Sequence, residues 1–132
     1  MHHDLIHHAK TFSGLTSVAS TGAEDINGKI IDTKDFESGM VSTDVTAWTV
    51  GDINVKEILE SDDSGMSGAV AIPAARLIGA DQTALGAVGI QDIGFVRTLR
   101  YVRPVFQTVG ASVGATLQAT VVLGNAVETI EV

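Results

Sequence analysis

The stretch Thr116-Leu117-Gln118-Ala119-Thr120-Val121-Val122-Leu123 decides how the rest of the chain is read. Leu117, Ala119, Val121 and Leu123 alternate with Thr116, Gln118 and Thr120, the period of two that sends successive side chains to opposite faces of a strand. Only Val122 breaks the pattern. Outward from there, Ile53 to Glu60 reads the same way, with Ile53, Val55 and Leu59 expected on one face and Asn54, Lys56 and Glu60 on the other. Ser61-Asp62-Asp63-Ser64-Gly65 is turn chemistry that closes that run. Val41 to Val50 carries Val, Thr and Trp48, and the Gly51-Asp52 pair that follows predicts a hairpin onto the Ile53 strand. Phe95 to Gln107 reads as two strands with a bend near Thr98. Pro104 cannot donate to a ladder and so marks an edge or a bulge. The predicted core is Leu117, Ala119, Val121 and Leu123, with Ile53, Val55, Leu59 and Trp48 opposite or beside them.

Fourteen glycines and two prolines are spread over 132 residues, a spacing that leaves few windows for a three-turn helix. Ile72 to Gly79, with Pro73 early and Gly79 last, has the asymmetry of one or two helical turns. His2 to Lys10 fits either a helical turn or an extended arm. The expectation is therefore an all-β fold, a single-domain sandwich over residues 1–132 with at most two short helical turns. Residues 1–11 form an N-terminal arm in this reading, and 125–132 a C-terminal tail or edge strand. A chain of this length buries roughly two thirds of its unfolded surface, enough for a core without disulfides or metal.

Composition excludes several functions. With no cysteine, the chain has no disulfide framework, thiolate zinc site, iron–sulfur cluster or cysteine nucleophile. Its net charge of −8, from 8 Lys and Arg against 16 Asp and Glu, opposes a polyphosphate, so no nucleic-acid partner is expected. The first residues lack a basic region and a long apolar run, and no segment approaches about 18 uninterrupted apolar residues, so no membrane partner is expected either. Charged residues make up 18% of the chain, below the roughly 25% of ordinary domains, and the mean hydropathy is +0.28. Apolar surface of that kind is expected to be buried in an assembly, and a homo-oligomer is the expectation.

The chemistry-bearing residues do not assemble into an active site by their spacing. His3 and His7 stand four apart, a spacing two metal ligands can use, but all four histidines lie in the first eight residues with no remote partner; no metal site is expected. Glu57, Glu60, Asp62 and Asp63 lack the ligand alternation of a calcium loop and read as a solvated hairpin tip. A glycosidase pair needs aromatic platforms, and the chain has one Trp and one Tyr. No G-x-S-x-G elbow and no phosphate-loop lysine is present, and Gly110-Ala111-Ser112-Val113-Gly114 reads as a flexible turn. Neither catalytic residues nor a cofactor are expected, and the chain reads as a non-enzyme.

One concentration remains. Arg97, Arg100 and Arg103 bracket Tyr101, placing three of four arginines within seven residues. Arg and Tyr dominate interface hot spots because each joins broad apolar contact to a directional polar end. The competing reading pairs these guanidiniums internally with Glu57, Glu60 or Asp62. Strand alternation puts Tyr101 and Arg103 on one face and Arg100 on the other.

Seven blocks in order complete the sequence picture: Asp4-Leu5; Ile30-Ile31-Asp32-Thr33 with Phe36-Glu37-Ser38; Leu59-Glu60-Ser61-Asp62-Asp63; Leu77-Ile78-Gly79; Ile93-Gly94-Phe95; Arg100-Tyr101-Val102-Arg103; and Val121-Val122-Leu123-Gly124. Together they resemble the capsid decoration, or cement, proteins of tailed bacteriophages, small proteins encoded beside the major capsid gene. The resemblance implies a jelly-roll-like sandwich on the outer surface of an icosahedral virion, assembled in the host cytoplasm, with the major capsid protein as partner and no catalytic residues. Arg97-Thr98-Leu99 replaces the glycine turn usual before the Arg-Tyr block, and Pro104 stands where a strand former is usual. Leu5, Ile6, Arg100, Tyr101 and Arg103 are the expected contact residues. The alternatives are a head-completion or tail-connector component and a carbohydrate-binding sandwich.

Overall fold

The computed structural model describes residues 9–79 and 85–126. It is all-β, with eight strands in one antiparallel sheet: β1 (Lys10–Ser20), β2 (Glu24–Asn27), β3 (Ile31–Asp32), β4 (Phe36–Ser61), β5 (Val70–Ala71), β6 (Leu77–Ile78), β7 (Gly89–Val96) and β8 (Tyr101–Ala126). Among the described residues the helical content is a single 3₁₀ turn, Ala74–Arg76, inside the Ile72–Gly79 window expected to hold one or two helical turns. Lys10 and Thr11, placed in the arm by sequence, already belong to β1, and Asn125 and Ala126 end β8.

β4 and β8 organise everything else. They pair from Phe36↔Ala126 to Ser61↔Tyr101 as one long ribbon. Its first half is widened by β1 on β8 and by β7 and then β6 on β4; its second half by β2 and β3 on β8 and β5 on β4. Between them the ribbon bends. Gly51 (φ +101°) faces a longer arc of β8 that begins at Gly110 (φ +142°), because the register steps from Val50↔Gly114 to Asp52↔Val109. These φ values belong to glycine, and a Cβ at Gly51 would lie 3.0 Å from Val113 Cγ2. The expected Gly51-Asp52 hairpin is therefore corrected. The glycine turns the strand without reversing it, since residues on both sides of it find their ladder on β8.

The bend lays both halves over one core. Val41, Val45, Ile93, Phe95, Leu117, Ala119, Val121 and Leu123 from the first half join Ile31, Ile53, Ile58, Ile72, Val102 and Phe106 from the second in a single cluster. The alternating run Thr116 to Leu123 lies as expected, with Leu117 and Leu123 fully buried. The halves are also tied at a rim, where Lys29 N–H donates to Gly14 O at 2.7 Å, beside the bond within the second half from Gly28 N–H to Pro104 O at 2.8 Å. Gly28 is required there, as a Cβ would sit 2.6 Å from Gly14 O.

Two expected core faces are corrected. A β-bulge between Val55 and Glu57 leaves Lys56 as the extra residue, so the inward positions switch from Ile53 and Val55 to Ile58 and Glu60, and Leu59 turns outward, half-buried. Pro104 is in an interior strand rather than at an edge, opposite Ile58 and one step from that bulge, where the ladder is already interrupted. Trp48 is not in the core. It stands near the bend, 39% exposed, its indole N–H donating to Gly51 O at 2.7 Å.

Candidate interaction surface

The expected contact block is positioned by a buried carboxylate. The bulge that turns β4 over carries Glu60 inward, 1% exposed. There it accepts from Arg76 Nη2 (2.7 Å) and Nη1 (3.4 Å), from the Thr98 N–H (2.9 Å) and hydroxyl (2.8 Å), and from Leu99 N–H (3.3 Å). Burial alone pushes this carboxyl up, but the Arg76 guanidinium and the Thr98 donors outweigh it and hold the group at about 2. An ionised group with this many donors fixes the turn between β7 and β8. Arg97 closes the turn from the other side, its backbone N–H donating to Glu37 O and its Nε to Phe36 O. Glu60 is thus corrected from a solvated tip to a buried anchor, and its cationic partner is Arg76.

Arg100 leaves that turn as a bidentate clamp. Its Nε and Nη2 donate to the two Asp32 oxygens at 2.9 and 2.8 Å, and its Cζ lies 5.1 Å from the centroid of the Tyr101 ring. The Arg100 contact, helped by the Lys34 N–H, lowers the Asp32 carboxyl to about 2 despite some desolvation. Asp32 also faces Tyr101 across the β3–β8 register, and the Thr33 N–H and hydroxyl both donate to Arg100 O. The internal partners expected for the arginines are therefore replaced by Asp32 and the Phe36 carbonyl. Spacing along the chain carries no sign of Asp32, which reaches Arg100 only through the β3 pairing. Arg100 is also not opposed to Tyr101: it precedes the strand, so its guanidinium is free to fold over the ring.

Arg103 differs from its neighbours. It lies on the face of β8 opposite the buried Val102, across from Leu59, half-buried. Its Nε is inaccessible to solvent and has no acceptor, and among the described residues Arg103 makes no hydrogen bond or ion pair. Tyr101 and Arg103 share this outward face, with Arg100 folded onto Tyr101. Leu5 and Ile6, the other expected contact residues, lie outside the described residues, as do the four histidines.

The other sequence features resolve separately. Asp63 caps its own turn, accepting from Gly65 N–H at 2.9 Å and Ser67 N–H at 3.2 Å. Among the described residues no three His, Cys, Asp or Glu side chains converge as metal ligands. Gly110 to Gly114 belongs to β8 at the bend rather than to a free turn. A groove of about 480 Å³ opens where β1 is bulged, between Phe12, Ser13, Thr16, Gln118 and Thr120, and no ionisable side chain lines it.

No family model and no curated protein matches the chain. Among solved structures, the crystal structure of SPBc2 prophage-derived protein YomS is similar at a TM-score of 0.43 and 13% identity, over 89% of this chain and 93% of that one. A likeness at that level assigns neither kinship nor role.

Proposed function

We propose that this chain is a structural protein of a tailed-bacteriophage particle that binds the outer capsid surface and ties neighbouring capsomers together, without catalysis. The supporting observation is where the resembling blocks meet. The block Ile30–Thr33 with Phe36–Ser38, the block Leu59–Asp63 and the block Arg100–Arg103 are far apart in sequence, yet join through Asp32–Arg100 and the Ser61↔Tyr101 pairing, while Phe36–Arg97 and Glu60–Thr98 tie the first two to the turn before Arg100. One end of the molecule thus gathers three blocks of the resemblance around an Arg-Tyr surface. The acidic remainder suits the outside of a shell better than its DNA-facing interior.

The test is co-sedimentation of the purified protein with empty shells of the phage that carries its gene, followed by electron cryomicroscopy. Density repeated at capsomer junctions is the expected result. Tyr101→Ala and Arg103→Ala should each weaken binding by about 1–3 kcal/mol without altering thermal unfolding. Density confined to one vertex would make the chain a connector component, and glycan binding without shell binding would make it a carbohydrate-binding sandwich.

A further inference from the structure

In the first half of the ribbon, alternation turns Val41, Ile93 and Val121 into the core and sends their neighbours to the outer face of the sheet. The register sets those outward residues in rows across the strands. One row runs Ile78, Gly94, Met40, Val122 and Thr11 from β6 to β1, and the next runs Val96, Ser38 and Gly124. Neither row contains an ionisable side chain. Ile78 is 72% and Val96 42% exposed, and Met40 and Val122 are half-buried. The charges that β7 and β4 add to this face, Asp92 and Asp44, stand in the two rows on the side away from Val96. Arg76 and Arg97, which flank Val96, are turned to Glu60 and to the Phe36 carbonyl. Lys10, opposite the buried Leu123, and Glu37, next to Ser38, belong by alternation to the other face.

These two rows are complementary to themselves. When the β6 and β1 sides are exchanged about β4, Val96 comes to face Gly124, Val122 to face Gly94, and Met40 to face its own copy. Each branched side chain then meets a glycine. Among the described residues a Cβ on Gly124 would meet nothing within 4 Å, and the nearest atom to one on Gly94 is Ile78 Cβ at 3.4 Å. We infer that a second copy of this chain packs on this face, about a two-fold axis that lies between the two sheets parallel to β4. The large-to-small match is a property of the face meeting itself, as an isologous contact requires. Copies that each carry a net charge of −8 also approach at least cost over rows that carry none. Strands about 4.8 Å apart and rows about 6.8 Å apart give the face roughly 500 Å² per copy, about 1,000 Å² in all, the lower limit of a specific interface. The dimer is therefore weak and reversible. Asp44 opposes it, because β4 lies on the axis and each Asp44 faces the other. This contact goes beyond the proposed function and does not depend on it.

Sedimentation equilibrium of the full chain, from micromolar to millimolar concentration, should show monomer giving way to dimer. Val96→Asp and Val122→Asp should each weaken association about tenfold or more, and Asp44→Asn should strengthen it. Thermal unfolding of each variant at low concentration separates lost association from lost fold. The axis is tested by cross-linking, because the chain has no cysteine of its own. Met40→Cys lies on the axis, so a short bismaleimide should link two copies through it. Ile78→Cys lies two strands off the axis, which puts the two thiols about 19 Å apart, and it should not link. No association at any concentration, association that survives both Asp substitutions, no gain in Asp44→Asn, or equal linking of Met40→Cys and Ile78→Cys overturns the inference. No shell enters these measurements, so their failure leaves the capsid reading standing, and failure of shell binding leaves the dimer standing.

Discussion

Replacing Glu60 by Gln keeps the size of the side chain and removes its charge. In the folded protein the carboxylate faces donors throughout: the Arg76 guanidinium, the Thr98 N–H and hydroxyl, and the Leu99 N–H. A glutamine offers one acceptor oxygen and turns an NH₂ toward the remaining donors. The magnitude follows from the ionisation. The group sits at about 2 against an ordinary 4.5, so its ionised form is favoured by the fold by about 3 kcal/mol. Because the folded value is the lower one, this stabilisation is complete above about pH 4.5 and is lost as pH falls toward 2. Glu60→Gln should therefore cost about 3 kcal/mol at pH 7, and the difference from wild type should close between pH 4.5 and 2. Urea unfolding midpoints of both proteins across that range measure it, since every other carboxylate titrates alike in the two and cancels in the difference. A cost below about 1 kcal/mol at pH 7, or a cost that stays constant down to pH 2, would show that Glu60 is not an ionised anchor.

Two further outcomes test the fold itself. Gly51→Ala places a Cβ 3.0 and 3.2 Å from the Val113 methyls at a φ of +101° and should cost about 1–3 kcal/mol in urea unfolding, whereas an unchanged midpoint would mean that β4 does not bend there. Leu117→Ala should cost about 2–5 kcal/mol through a buried cavity while Trp48→Phe costs less than about 1 kcal/mol, and the reverse order would place the tryptophan inside and the β8 face outside.

What could be read from sequence was whatever the period of two controls without interruption. Thr116 to Leu123 faces bulges in β1 and β4 but carries no extra residue of its own, so its faces follow from alternation. Ile53 to Glu60 crosses one at Lys56, and a one-residue slip exchanges faces for everything beyond it. That is why Leu59 and Glu60 traded places. The bulge is a property of the β4–β8 pair beside Pro104, and the β4 sequence contains no mark of it. Gly51-Asp52 supports a reversal and a bend equally well, and the choice is made by a partner strand that arrives much later in the chain. The surface divides the same way. Tyr101 and Arg103 were placed on one face by alternation, while the Arg76–Glu60 and Arg100–Asp32 pairs depend on tertiary proximity that residue spacing does not encode.

The β4–β8 ribbon also determines how this chain has to fold. Its shortest closure, Ser61 with Tyr101, must wait for all of residues 62–100, and each pair beyond it spans more. No local hairpin can therefore nucleate the ribbon, and such high contact order belongs to the millisecond-to-second regime of folding. During synthesis β4 emerges complete long before β8 exists, so the edge of β4 that β8 covers spends that interval unmatched. Yield in cells should accordingly depend more on how fast β8 is delivered than on the stability of the finished fold.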